Sequence, residues 1–264
     1  MSPGELACLA LNRVLPARRV EGRESPRAYA EAQYRWAADT LALHAPYVDL
    51  TGATLLDAGC GLGGKAVYYA EHGCSRVEGI DADPDYIAEA QAFAADRGAV
   101  NATFQVGQLD ELPYPSDEFD IVMMNDVLEH VVRPRLSSTL LACKRVLRPG
   151  GVLCIDFSPW TAHDAAHLYD YIRIPWCQVL FSDETLIRVT RRLNPRPTHG
   201  TLTIVEHFQE LNRLTFDEFR GLVDGLGFKI VRLDRKMVRQ IQALRRVPLL
   251  RDYFTSRVLA VLSK

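Results

Sequence analysis

The stretch LLDAGCGLGG, Leu55 to Gly64, reads as an apolar strand that runs through a glycine turn straight into a helix. Glycine lacks a Cβ, so such a turn can close tightly and let a ligand approach its backbone amides. Gly59-x-Gly61-x-x-Gly64 also satisfies the dinucleotide fingerprint, which is a weak signal alone. Asp81 sharpens it. That residue ends the next apolar run, VEGID (77–81), 22 residues beyond Gly59, where an acid can accept hydrogen bonds from both hydroxyls of a ribose. A glycine turn that holds no ligand would leave this acid unexplained.

Working outward, short apolar runs alternate with helical patterns. TLLDA (54–58) precedes a helix from about Gly63, and VEGID precedes a helix through Asp85–Arg97. Then come ATFQV (102–106), FDIVMM (119–124), a helix through Leu136–Leu147 and GGVLCIDF (150–157). Nearly continuous apolar strands separated by helices predict a parallel sheet covered on both faces. The rhythm breaks over 158–214 and resumes in TFDEFRGLVDGLGF, where Thr215 and Glu218 have capping-box spacing and Gly227 is a natural stop. FKIVRLD (228–234) and SRVLAVLSK (256–264) supply two more strands. The first part of the chain is helical to about Asp49, with a break from Pro16 to Pro26 and a helix running on to His44. The expected organisation is a helical cap, 1–53, and one domain, 54–264, carrying a substrate-side insertion, 158–214.

Composition excludes more than it selects. Of 264 residues 48% are hydrophobic and 24% charged, which rules out disordered, collagenous and repeat-dominated chains. The 31 Lys and Arg nearly cancel 33 Asp and Glu, so no global charge points to nucleic acid. Six cysteines without a C-x-x-C read as reduced thiols. No run approaches the roughly 20 apolar residues of a membrane helix, so a cytoplasmic location is expected.

Asp57 decides between nucleoside ligands. A carboxylate beside the turn repels a pyrophosphate but suits an ammonium or a sulfonium. S-adenosylmethionine has both of those charges and no phosphate. DAGCG (57–61), Asp81, LPYPSDEFDIV (112–122), VLEHV (127–131) and LRPGG (147–151) together resemble the class I S-adenosylmethionine-dependent methyltransferases, with a motif pattern like the ubiquinone and menaquinone enzymes. The resemblance covers about Ala53 to Phe157 and fades to topology alone over Leu214–Lys264. It implies a Rossmann-like, doubly wound seven-stranded sheet whose last strand is antiparallel. It makes Asp57, Gly59, Cys60 and Gly61 the methionine-side turn, Asp81 the ribose acceptor and Ala82 a neighbour of the adenine. Gln108 and Leu109 would flank the adenine, and Asn125 would bring its backbone to the methionyl amine. Gln108 departs from the acid usual there, although its carbonyl can still accept from the adenine amino group.

His130, just beyond a strand end, is the candidate general base; the alternative is a histidine that only structures its loop. Asp126, Glu129 and His130 form a D-x-x-E-H set resembling one for which a divalent ion has been proposed, but solvated loop residues are the commoner outcome, and no metal is expected. His163 and His167 in HDAAH have the i, i+4 spacing of a zinc-binding helix face, without an adjacent glutamate or a third ligand.

Acceptor specificity should reside in 158–214, whose aromatics would either grip a flat or lipophilic acceptor or form a small core of their own. Trp160, His163, Tyr171 and Trp176 are the candidates there, with Tyr34 on the preceding helical cap. Arg235 to Arg251 carries six Lys/Arg and no acid, which reads as a basic amphipathic helix with a possible peripheral lipid contact or merely a solvated face. The function expected is methylation of a small aromatic or lipophilic metabolite by a monomer or homodimer, at oxygen before nitrogen or carbon. The alternatives are an NAD-type oxidoreductase and a non-catalytic binding protein of the same fold.

Overall fold

The computed structural model describes residues 1–17, 21–22, 24–193, 203–238 and 251–264. Seven strands form one sheet in the order β3-β2-β1-β4-β5-β7-β6. β1 (Thr54–Ala58), β2 (Arg76–Asp81), β3 (Ala102–Val106), β4 (Phe119–Asn125) and β5 (Leu147–Phe157) are parallel, and β7 (Thr255–Ser263) runs antiparallel between β5 and β6 (Lys229–Met237). Successive residues of a strand face opposite sides of the sheet. Leu55 accordingly packs into one apolar cluster with helices α2 (Pro26–His44), α3 (Gly64–Glu71) and α4 (Pro84–Arg97). Leu56 packs into the other, with α5 (Leu136–Val146) and α9 (Phe216–Gly225). Burial on both faces is why the middles of β1 and β4, Leu55–Leu56 and Ile121–Met124, are continuous apolar runs.

The helix starts follow local chemistry. Ser25 Oγ accepts from Ala28 N at 3.1 Å ahead of Pro26, and Asp83 Oδ1 accepts from Asp85 N at 2.9 Å ahead of Pro84. Thr215 and Glu218 cap α9 reciprocally, as their spacing predicts.

A third apolar cluster lies off the sheet. It unites α1 (Pro3–Val14) with the insertion helices α6 (Cys177–Leu180), α7 (Asp183–Leu193) and α8 (Ile204–Glu210). The two N-terminal helices therefore part company, α2 joining the sheet and α1 the insertion. The basic segment needs a correction: β6 extends to Met237, so Arg235, Lys236 and Met237 are strand residues, and Arg235 stacks 3.6 Å above Phe216. The rest of that expected helix, 239–250, lies outside the described residues.

Candidate active site

The glycine turn leaves β1 where the sheet order reverses between β1 and β4, the place at which open α/β sheets bind ligands. Gly59 N and Cys60 N both donate to Ile80 O, at 2.8 and 3.1 Å, so the turn is stitched to the end of β2. Gly59 has φ +81°, and a Cβ there would lie 2.5 Å from Val127 Cγ2. Asp81 orders the next part of the turn: its Oδ2 accepts from Gly61 N at 2.9 Å and its Oδ1 from Asp83 N at 3.1 Å. Burial raises the Asp81 carboxyl above its ordinary value, although these backbone bonds oppose the shift.

A cavity of about 510 Å³ opens above the turn. Its floor is Gly59, Gly61, Leu62, Asp81 and Asn125; Lys65, Ala82 and Tyr86 line its sides. α2 covers it with Tyr29, Gln33 and Trp36, and α8 contributes His207 and Glu210. Gln33 Oε1 also accepts from Gly64 N at 3.4 Å, which ties the covering helix to the turn.

Two charge arrangements flank the floor. Asp57 is buried beneath the turn and its Oδ2 has no hydrogen-bond partner. Burial pushes its carboxyl up to about 7, with Lys65 pulling down and Asp81 pushing up. Asn125, also buried, has neither amide atom in a well-formed hydrogen bond, though it sits beside His44 and Tyr69. On the far side Arg257 bonds Asp126 and, at 3.0 Å, Asp156, while Lys65 approaches Asp126 to 3.9 Å. Burial alone would raise Asp126, but Arg257 and Lys65 outweigh it and hold the carboxyl at about 2.

His130 lines the cavity, its ring 4.9 Å from that of His167 and 6.3 Å from that of His207. Desolvation, with His207 adding repulsion and Asp126 opposing, holds the imidazole down at about 4, so it is neutral at pH 7. Among the described residues, ligand atoms of Glu129, His130 and His167 lie within 4.8 Å of one another. Asp126 is engaged by Arg257, so the D-x-x-E-H residues do not gather as one set. Of the three that do gather, only His130 lines the cavity, and Glu129 Oε1 is occupied by Ser158 N at 3.1 Å.

Of the residues singled out in the sequence, Gly59, Gly61, Asp81, Ala82, Asn125 and His130 line the cavity, whereas Asp57 and Cys60 are buried just beneath it. The others lie elsewhere. Gln108 Oε1 accepts from Arg135 Nη1 at 3.1 Å, and Leu109 packs on the cluster under α5. Tyr34 faces away from the cavity: its OH donates to Glu71 at 2.5 Å, and Arg97 lies 3.9 Å over its ring. Trp160 and Tyr171 pack on the third cluster, and Trp176 Nε1 donates to Tyr253 O at 2.8 Å. His163 sits 3.5 Å from Asp164, and the HDAAH segment is a series of turns, so the i, i+4 helix face does not form. Trp160 and Tyr171 thus serve the insertion's own core, and Trp176 ties the insertion to the segment before β7.

Lys65, Gln33, His207 and Glu210 go unmarked in the sequence, and of the three aromatics of the covering helix, Tyr29, Tyr34 and Trp36, the two that line the cavity are Tyr29 and Trp36 rather than the expected Tyr34. Two signals could have found the α2 group: the i, i+4, i+7 stripe Tyr29-Gln33-Trp36, and Gly64, whose missing Cβ is what lets a helix lie on the turn.

Comparison with known proteins agrees with this geometry. Residues 56–155 match the family model described as a methyltransferase domain. An uncharacterised methyltransferase of Mycobacterium marinum is 29% identical over 215 residues, 81% of this chain and 77% of its own. The fold is shared with an S-adenosylmethionine-dependent methyltransferase from Mesorhizobium loti, with TM-score 0.58 and 21% identity, covering 88% of this chain and all of the other. It is shared too with the magnesium protoporphyrin IX methyltransferase of Synechocystis, solved with bound S-adenosylhomocysteine (TM-score 0.53, 18% identity, covering 99% and 96%). These matches leave no support for an NAD-type oxidoreductase. Residues 56–155 thus match a methyltransferase domain, and sheet order, glycine turn and solved neighbours give the chain the fold of the class I S-adenosylmethionine-dependent methyltransferases.

Proposed function

We propose that the cavity binds S-adenosylmethionine between Asp81 and Asn125 and that the protein methylates a small aromatic or lipophilic metabolite, at oxygen before nitrogen or carbon. The observation that carries this reading is the pair of acids at the turn. Asp81 lines the cavity with both oxygens already oriented by backbone N–H groups, ready to accept from ribose hydroxyls. Asp57 lies below with an unbonded oxygen, a counter-charge for a cationic ligand. Lys65 would meet the methionyl carboxylate, Asn125 the amine, and Ala82 with Tyr86 the adenine.

The bound cosubstrate supplies an activated methyl group, so the chain has only to place the acceptor, exclude water and remove a proton. Trp36 under α2 and His207 under α8 close the acceptor side. His130, neutral at ordinary pH, takes the acceptor proton, and the carboxylate of Asp126 offsets the imidazolium charge. The helical cap (1–53) and the insertion (158–214) would be the acceptor-side apparatus.

Calorimetry with S-adenosylmethionine and S-adenosylhomocysteine tests the binding, and transfer of a labelled methyl group across an acceptor panel tests the reaction. Absence of binding by both ligands would refute the reading; binding without transfer to any acceptor would favour the binding-protein alternative. His130→Gln is expected to lower kcat by about 100-fold or more while S-adenosylhomocysteine affinity holds. Full kcat in that variant would remove the base. Because the imidazole titrates near 4, the wild-type rate should show no histidine step between pH 6 and 8. Exhaustive chelation should leave turnover unchanged; a loss restored by a divalent ion would instead make ligands of Glu129, His130 and His167.

A further inference from the structure

α1 is turned inside out. Its inner face, Glu5, Cys8, Leu9 and Asn12, carries both of its strongly polar buried residues. Glu5 is 8% exposed and reaches Arg188 of α7 at 3.3 Å. Asn12 is 6% exposed, donating to Tyr171 O at 2.8 Å and accepting from Arg173 N at 2.6 Å. The exposed residues of α1 are Pro3, Leu6, Ala7, Ala10, Leu11, Arg13 and Val14, all apolar except Arg13 near the C-terminal end. Leu6 is 52% exposed, Leu11 47% and Val14 78%. A surface helix normally does the opposite. The fold has spent hydrogen bonds and an ion pair to bury polar groups here, which makes the outward apolar stripe a feature in its own right.

We infer that α1 docks this stripe into an anionic lipid surface. Charge selects the occupant. The one acid of α1 is buried against Arg188, so the exposed face presents no negative charge. Its C-terminal end carries exposed Arg13 and, beside it, exposed Arg173, whose Nη1 donates to Leu15 O at 2.9 Å. The chain continues with Arg18 and Arg19 before the next acid, Glu21. An apolar stripe with a cationic end is the chemistry that binds acidic headgroups through the arginines and acyl chains through the leucines. A second copy fits less well: twelve residues of helix span only ~18 Å, and one such face offers a few hundred Å², short of the ~800 Å² per partner of a stable dimer.

The docking helix is mechanically tied to the cavity. Cys8 of α1 shares one apolar core with Val205 and Phe208 of α8, and the same short helix presents His207 and Glu210 to the cavity. Lipid contact would therefore hold the cavity's α8 side at the membrane surface. The inference stands whether or not the acceptor assigned above is right.

Co-sedimentation of the whole protein at low salt, with mixed phosphatidylglycerol–phosphatidylcholine vesicles and with phosphatidylcholine alone, is the test. Binding is expected to the mixed vesicles and to fall about tenfold or more in Leu11→Gln/Val14→Gln. Arg13→Gln or raised salt should weaken it several-fold. All these side chains are exposed, so thermal unfolding should be unchanged, which separates lost docking from lost folding. No wild-type association, or association that survives Leu11→Gln/Val14→Gln, would overturn the proposal. So would a dimer in sedimentation equilibrium that the same double variant dissociates.

Discussion

Replacing Asp57 by Asn is expected to stabilise the ligand-free protein at pH 8 and to cost it most of its affinity for S-adenosylmethionine. Asp57 is buried with one oxygen unbonded, and its carboxyl is pushed from an ordinary 3.8 up to about 7. Between those values the unfolded chain gives up a proton that the native state keeps. Native stability therefore falls as pH rises through that window, and the loss is complete above about pH 7. Asn has no proton to lose. The advantage of Asp57→Asn should be near zero at pH 4, grow to pH 7 and then level off. A three-unit shift caps it at ~4 kcal/mol, and an imperfectly bonded amide should bring it to ~1–3 kcal/mol. Urea unfolding at pH 5 and pH 8 measures the difference; a pH-independent result would contradict the assignment.

Affinity should move the other way, by about ten- to a hundredfold, because a cationic ligand loses its buried counter-charge. The ligand's positive charge would also drive Asp57 to ionise, so binding near pH 6 should release about one proton in the wild type and none in the variant. Calorimetry in buffers of different ionisation enthalpy reads this directly.

Gly64→Ala should be the most damaging conservative change in the turn. Gly64 opens α3, and helix propensity alone would favour alanine there by ~1 kcal/mol. The tertiary structure reverses the sign. A Cβ at this position would lie 2.0 Å from Ala30 O and 2.7 Å from Gln33 Cβ, and a backbone carbonyl in mid-helix cannot step aside. α2 would have to lift, taking Tyr29, Gln33 and Trp36 with it. A stability loss of ~3 kcal/mol and a fall in cofactor affinity of about tenfold or more are expected. Gly221→Ala is the control: nothing lies within 4 Å of its Cβ, in the middle of α9, so it should stabilise by up to ~1 kcal/mol. Equal effects at the two glycines would show that packing of α2 on the turn does not matter.

This contrast marks where sequence reading stops. The limits of β1 and β3 follow from short apolar or alternating runs bounded by glycine and polar residues, β1 being buried on both faces and β3, at the sheet edge, on one. The Thr215–Glu218 capping box and the first-turn Pro26 are equally legible, since their chemistry is local. The places of Trp160, Tyr171 and Trp176 were not, because an aromatic that packs on a core or a neighbouring segment and one that lines a cavity carry the same local signature. Tyr34 and its neighbour Gln33 differ by only 100° around α2, yet one meets Glu71 and the other the glycine turn.

Sequence by itself determined the sheet and the acids at its switch point. Periodicity, turn chemistry and the spacing of Asp57, Gly59 and Asp81 all act over a few residues or one βαβ unit. The covering of the cavity by α2 and α8, the joining of α1 to the insertion and the outward turning of its apolar face belong to tertiary structure alone. They depend on which surfaces meet across long chain separations, such as Glu5 with Arg188 or Ala30 with Gly64. No local pattern records that choice.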